Sequence, residues 1–84
     1  MGRETRTAAQ LRAMVQLRID AQPEVIELAQ RAQGAKLVVG PVEAIKPDHQ
    51  GRNWDIRTVT GAVGFMRQLR EIVDNLRSQY DLIA

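Results

Sequence analysis

The sequence predicts an α+β domain with a two-layer βαββα order, in which a three-stranded mixed sheet carries two helices on one face. Three observations lead there. Residues 11–20 alternate apolar and polar, two segments rich in β-branched residues flank a glycine-containing turn, and residues 65–80 carry apolar side chains at three- and four-residue steps. In the alternative order, ααββα, residues 11–20 wind as a helix.

Taken in order, residues 1–10 (MGRETRTAAQ) hold little to bury and read as a flexible N-terminal arm, with 11–84 forming a single α+β domain. Leu11, Ala13, Val15, Leu17 and Ile19 then alternate with Arg12, Gln16, Arg18 and Asp20, Met14 being the exception. That is the pattern of a half-buried strand. A helix would align Leu11, Met14, Val15 and Ile19, but it would strand Leu17 and place Arg18 on the apolar face. Helix propensity nevertheless favours the segment.

Pro23 suits the first turn of a helix, Glu24 and Glu27 complement its positive end, and Arg31 and Gly34 close it. Val25, Leu28, Ala29 and Ala32 form its stripe, with Ile26 on the flank, so a helix is expected over 23–33. Leu37, Val38 and Val39 read as a strand that Gly40-Pro41 bends before Val42–Ile45. Pro47–Gly51 is turn chemistry, and 53–60 returns as a strand with Trp54, Ile56 and Thr58 on one side. The two runs predict an antiparallel hairpin. Thr60 can cap a last helix, with Gly61 or Gly64 near its start. Phe65, Met66, Leu69, Ile72, Val73, Leu76 and Tyr80 give that helix a length of about 18–20 residues. Its polar face offers the pairs Arg70–Asp74 and Arg77–Asp81.

A right-handed crossover would make the first two strands parallel and put both helices on one side. The other side would be bare, presenting Arg12, Arg18, Lys36, Val38, Arg57 and Val59 as an interaction surface beside Gln16 and Asp55. A bare face and two open strand edges favour pairing with another chain. A homodimer or a protein partner is therefore expected.

Composition removes several function classes. There is no cysteine, so disulfides, thiolate metal sites and cysteine nucleophiles are excluded. Lys and Arg total 12 against 10 Asp and Glu, a net charge of only +2, with the cations spread along the chain. All cations but Lys36 and Lys46 are arginine, which suits bidentate recognition of phosphate or carboxylate. No apolar run approaches the roughly 20 residues that span a bilayer, and residues 1–10 precede no apolar h-region. No membrane association and a cytoplasmic location are expected.

The most distinctive stretch is Lys46–Asp55, with candidate residues Asp48, His49, Arg52, Asn53 and Asp55. As chemistry, His49 would shuttle a proton oriented by Asp48 or Asp55. As structure, Pro47-Asp48 opens a turn, Gly51 supplies positive φ, and Asn53 and Asp55 satisfy loop backbone. A lone histidine without a second ligand pair gives no metal site. The only serine, Ser78, is far in sequence from His49, and no G-x-S-x-G, P-loop or G-x-G-x-x-G pattern occurs. Gly61-Ala-Val-Gly64 lacks the lysine of a phosphate loop. No catalytic residue and no cofactor is expected.

Two readings of function remain. The leading one is a small non-catalytic module that acts by self-association or protein–protein interaction. The other is a weak nucleic-acid binder using Arg12, Arg18, Lys36 and Arg57, helped by Arg3 and Arg6 on the arm. The second suffers from having only three aromatics, Trp54, Phe65 and Tyr80, of which the pattern buries at least two.

Overall fold

Thr7 and Gln10 cap each other. The Thr7 hydroxyl accepts from the N–H of Gln10 at 3.1 Å, and the Gln10 side chain accepts from the N–H of Thr7 at 2.9 Å. This reciprocal cap satisfies two helix-end donors and starts a helix through the residues that alternate. The computed structural model describes residues 3–83. The elements are β1 (Glu4–Arg6), α1 (Ala8–Asp20), α2 (Pro23–Arg31), β2 (Val38–Val39), β3 (Glu43–Ala44), β4 (Trp54–Asp55), β5 (Val59–Thr60), α3 (Met66–Arg77) and β6 (Tyr80–Leu82).

The protein is thus a small α+β fold with three helices and short strands, and three points of the expected order are corrected. First, 11–20 is helical: Leu11, Val15 and Ile19, four residues apart, are wholly buried, while Leu17 is 73% exposed. The two-residue alternation was a coincidence of Ala13 and Leu17 facing outward. Second, of the arm, Met1 and Gly2 lie outside the described residues, but Glu4–Arg6 pair with β6 and Ala8–Gln10 form the first turn of α1. Third, the last helix is shorter than expected. Thr60 lies in β5 rather than at a cap, and Tyr80 belongs to a strand.

Instead of one three-stranded sheet there are three two-stranded pairings: β1 parallel to β6, β2 antiparallel to β5, and β3 antiparallel to β4. The last two are segments of one ribbon, the expected hairpin, because the paired residue numbers add to the same total throughout. The hydrogen-bonding phase inverts between them. Gly40 donates to the C=O of Thr58, so the even-numbered residues of the first segment bond inward, yet Ile45 donates to the C=O of Asn53. The inversion falls between Gly40 and Glu43.

Both faces of the interior are apolar. α1 gives Leu11, Val15 and Ile19, α3 gives Leu69, Ile72, Val73 and Leu76, and the ribbon gives Val39, Trp54 and Ile56, with Leu37 just before it. α2 adds Val25, with Leu28 packed partly buried against the core, and leaves Ile26 exposed. The result is elongated, 44 × 19 × 19 Å. No helix among the described residues is long and apolar enough to cross a membrane.

Candidate interaction edge

The loop singled out by the sequence is organised by Asp48. Its carboxylate accepts from the N–H groups of Gln50 (2.9 Å) and Arg52 (3.0 Å) and from the Arg52 guanidinium (2.8 Å). Gly51 closes the turn with φ of 79° and donates to the Asp48 carbonyl. Burial works to raise the Asp48 pKa, but the bonds from Arg52 and Gln50 outweigh it and hold the carboxyl at about 2. His49 is exposed and makes no hydrogen bond among the described residues. Asp48 is committed to backbone and to Arg52, so nothing orients His49 as a proton shuttle.

Asn53 joins the ribbon to β6. Its amide donates to the C=O of Leu82 and accepts from the N–H of Leu82, both at 2.9 Å. The Trp54 indole N–H donates to the Tyr80 carbonyl at 2.9 Å. Asp55 is the centre of an ion network with α3. Arg70 reaches it at 2.8 Å, Arg57 at 3.5 Å and Arg77 at 4.0 Å. Burial again acts to raise its pKa, and the bond and charge of Arg70, the charge of Arg77 and the Ile56 N–H bring it below the ordinary value. Asp55 and Asp74 in turn raise the Arg70 pKa against its own burial.

This network corrects one pairing and supplies a residue that helical spacing alone misses. Arg70–Asp74 forms at 3.2 Å as expected, but Asp81 pairs with Arg3, and Arg77 turns inward to Asp48 and Asp74. Arg77 is 8% exposed, and its Nε has no hydrogen-bond partner among the described residues. Asp48 and Asp55 thus tie the ribbon to α3, Asn53 ties it to β6 and Arg52 holds Asp48, and no group of three or more metal-ligating side chains occurs among the described residues. An open apolar hollow lies between α2 and residues 34–37, lined by Val25, Ile26, Ala29 and Leu37. Asp20 and Lys36 also line it.

The surface residues are placed differently from the expectation. Arg12 and Arg18 are on α1, not on a strand beside Lys36 and Arg57. Their guanidiniums bond within the chain, Arg12 to the Val39 carbonyl (2.9 Å) and Arg18 to the Asn75 side chain (2.8 Å). Val38 and Lys36 are exposed, Val59 packs partly against the core, and Arg57 is also paired with Glu43 at 3.9 Å.

What the ribbon does offer is an edge. β2 is closed, because Gln16 donates to the Leu37 carbonyl (2.9 Å) and accepts from the Val39 N–H (3.0 Å), while Arg12 takes the Val39 carbonyl. On β3, Glu43 and Ile45 bond inward, and no hydrogen bond among the described residues reaches the backbone of the exposed Ala44. On β4, Trp54 is wholly buried and Arg70 donates to the Ile56 carbonyl. β1 is short, with the Arg6 guanidinium on the Thr5 carbonyl and on Glu4. β5 has no such cover. Val38 pairs with Thr60 and Gly40 with Thr58, so Val59 and its neighbours Arg57 and Gly61 aim their N–H groups away from the ribbon. No hydrogen bond among the described residues reaches the backbone of Arg57, the outward groups of Val59 or the N–H of Gly61.

Comparison with known proteins finds no matching family model, no matching curated protein and no matching solved structure.

Proposed function

We propose that the chain is a non-catalytic association module that works by strand addition at residues 57–61. The observation that supports this is that β5 leaves the backbone of Arg57, the outward groups of Val59 and the N–H of Gly61 without a hydrogen bond among the described residues, whereas side chains close β2. Such a run is completed by the main chain of another extended segment, which supplies the hydrogen bonds while the flanking side chains select it. The loop residues once considered as chemistry are engaged in holding the ribbon to α3 and β6, which leaves no nucleophile–base pair to argue for an enzyme. Nucleic-acid binding loses support because Arg12 and Arg18 bond within the chain and Trp54 is buried.

The test is amide hydrogen exchange at Arg57, Val59 and Gly61, measured with the protein alone across concentration and with extended peptides selected by display. Slowed exchange at these amides under either condition supports the reading. If no condition protects them, the reading is wrong.

A further inference from the structure

We infer that the Val63–Gly64 bond is a site of limited proteolysis, open to an endopeptidase that accepts a small aliphatic residue on the acyl side, and that cutting it leaves a two-fragment complex instead of an unfolded chain. The inference stands apart from strand addition at β5.

The link from β5 to α3 is the least anchored among the described residues. No hydrogen bond among them reaches residues 61–64. Every other connection between elements carries at least one. The 47–52 loop is held by the Asp48 carboxylate, and after α2 the Ala35 N–H donates to the Ala32 carbonyl at 2.8 Å. Val63 is 95% exposed. Leu17, the next most exposed large apolar residue described, lies inside α1, where the backbone is bonded. Ala62 packs partly against the core, so Val63 is the residue that projects. An exposed tip of small residues with unbonded backbone is where chains are nicked.

Exposure alone does not admit a protease, which holds its substrate as an extended strand through main-chain hydrogen bonds. Residues on both sides of the bond must straighten. Gly61 and Gly64 have φ of 113° and 92°, and glycine passes to an extended conformation with no Cβ to hinder it. Beyond Gly64, α3 starts without a side-chain cap, whereas α1 has Thr7 with Gln10 and α2 has Pro23. An uncapped first turn frays more readily. Two pivots and a soft helix start let the segment straighten while Thr60 stays paired with Val38.

Hydrolysis adds one water across the bond, leaving a carboxylate on Val63 and an amine on Gly64 that takes up the acid's proton. The two pieces remain joined by the β1–β6 pair, by Asn53 on Leu82, by Asp55 on Arg70 and by the buried face of α3. The new ammonium lies two residues before α3, whose first turn has no acid to offset it. Positive charge at that end opposes the helix dipole, so the cut form is expected to melt at a lower temperature than the uncut chain.

The experiment is digestion of the full chain with pancreatic elastase and, in parallel, with subtilisin, whose broad specificity reads backbone access. Mass spectrometry identifies the first product. One early elastase cut after Val63 is expected, with the first subtilisin cut within residues 61–65. Under native conditions the product keeps the mass of the uncut chain plus one water, and its circular dichroism spectrum stays close to the parent's. Low urea is expected to leave the rate nearly unchanged, because local opening exposes little surface. Val63→Asp alters only an exposed side chain and is expected to slow elastase at least tenfold with an unaltered spectrum. A first cut outside residues 61–65 by either enzyme overturns the site. A rate that climbs with urea as steeply as global unfolding means that only the unfolded chain is cut, and overturns it as well. Fragments that separate or unfold on cutting overturn the retained complex.

Discussion

The side-chain amide of Gln16 meets Val39 as a neighbouring strand would: Oε1 accepts the Val39 N–H while Nε2 donates to the carbonyl of Leu37, two residues earlier. A primary amide has the same donor and acceptor as a peptide group, so one helix side chain closes a strand edge. Gln16→Leu removes both bonds at once and leaves a backbone donor and acceptor unpaired. The expected loss is about 1–3 kcal/mol in urea denaturation, with faster exchange at the Val39 amide. Gln16→Glu keeps the acceptor, loses the donor and is expected to fall between the two.

Gly61 is tied to Lys36 in a comparable way, through space rather than a bond. Its φ is 113°, and a Cβ there would meet the Lys36 carbonyl oxygen. Gly34 also has positive φ, 78°, but a Cβ there meets nothing within 4 Å. Gly34→Ala is therefore expected to cost only the backbone term, about 1 kcal/mol. Gly61→Ala adds a steric clash with fixed backbone and is expected to cost more. Parallel thermal melts of the two variants give the comparison, and equal losses would remove the steric argument.

The particular residues explain what the sequence did and did not disclose. α2 was legible from Pro23 and its apolar stripe, but it stops at Arg31 with Ala32 as its cap, two residues short of the expected end, and Gly34 serves the turn that follows. The hairpin was legible because β-branched runs flank a turn that Asp48 and Gly51 build. α1 was not, since Ala13 and Leu17 face outward and leave a two-residue alternation that competes with the four-residue spacing of Leu11, Val15 and Ile19. Thr7 and Gln10 were the missed signal: a threonine followed three residues later by glutamine marks a helix start. The β1–β6 pair joins the two ends of the chain, and no local pattern announces such a partner. The inward turn of Arg77 was hidden for the same reason. Helical spacing relates it to Asp81, but its charge partner Asp48 comes from the ribbon.

Asp55 and Arg77 should respond unequally to substitution. Asp55→Ala removes the carboxylate between Arg70, Arg57 and Arg77 and leaves their charges crowded, one of them buried. A loss of about 3 kcal/mol is expected, as for breaking a buried pair from one side. Arg77→Met keeps the volume, relieves an Nε with no hydrogen-bond partner among the described residues and leaves Arg70 on Asp55. That variant is expected to unfold within about 1 kcal/mol of the parent in denaturant titration. A larger loss for Arg77→Met than for Asp55→Ala would reverse the assignment of Asp55 as the hub.

Acid is the condition that acts on these ties together. Asp48 and Asp55 both have folded-state pKa values below the ordinary 3.8, Asp48 at about 2. A depressed carboxyl binds protons more weakly in the folded than in the unfolded chain, so its contribution is complete above the unfolded value and fades as pH falls through the folded one. The melting temperature is therefore expected to change little with these groups above about pH 5, where their contribution is complete, and to drop between about pH 4 and pH 2. Asp48→Asn removes one of the two groups responsible. It is expected to melt lower than the parent at neutral pH and to lose less on acidification, so that the two curves converge near pH 2. Curves that stay parallel down to that pH would mean that the loop carboxylate does not govern acid unfolding.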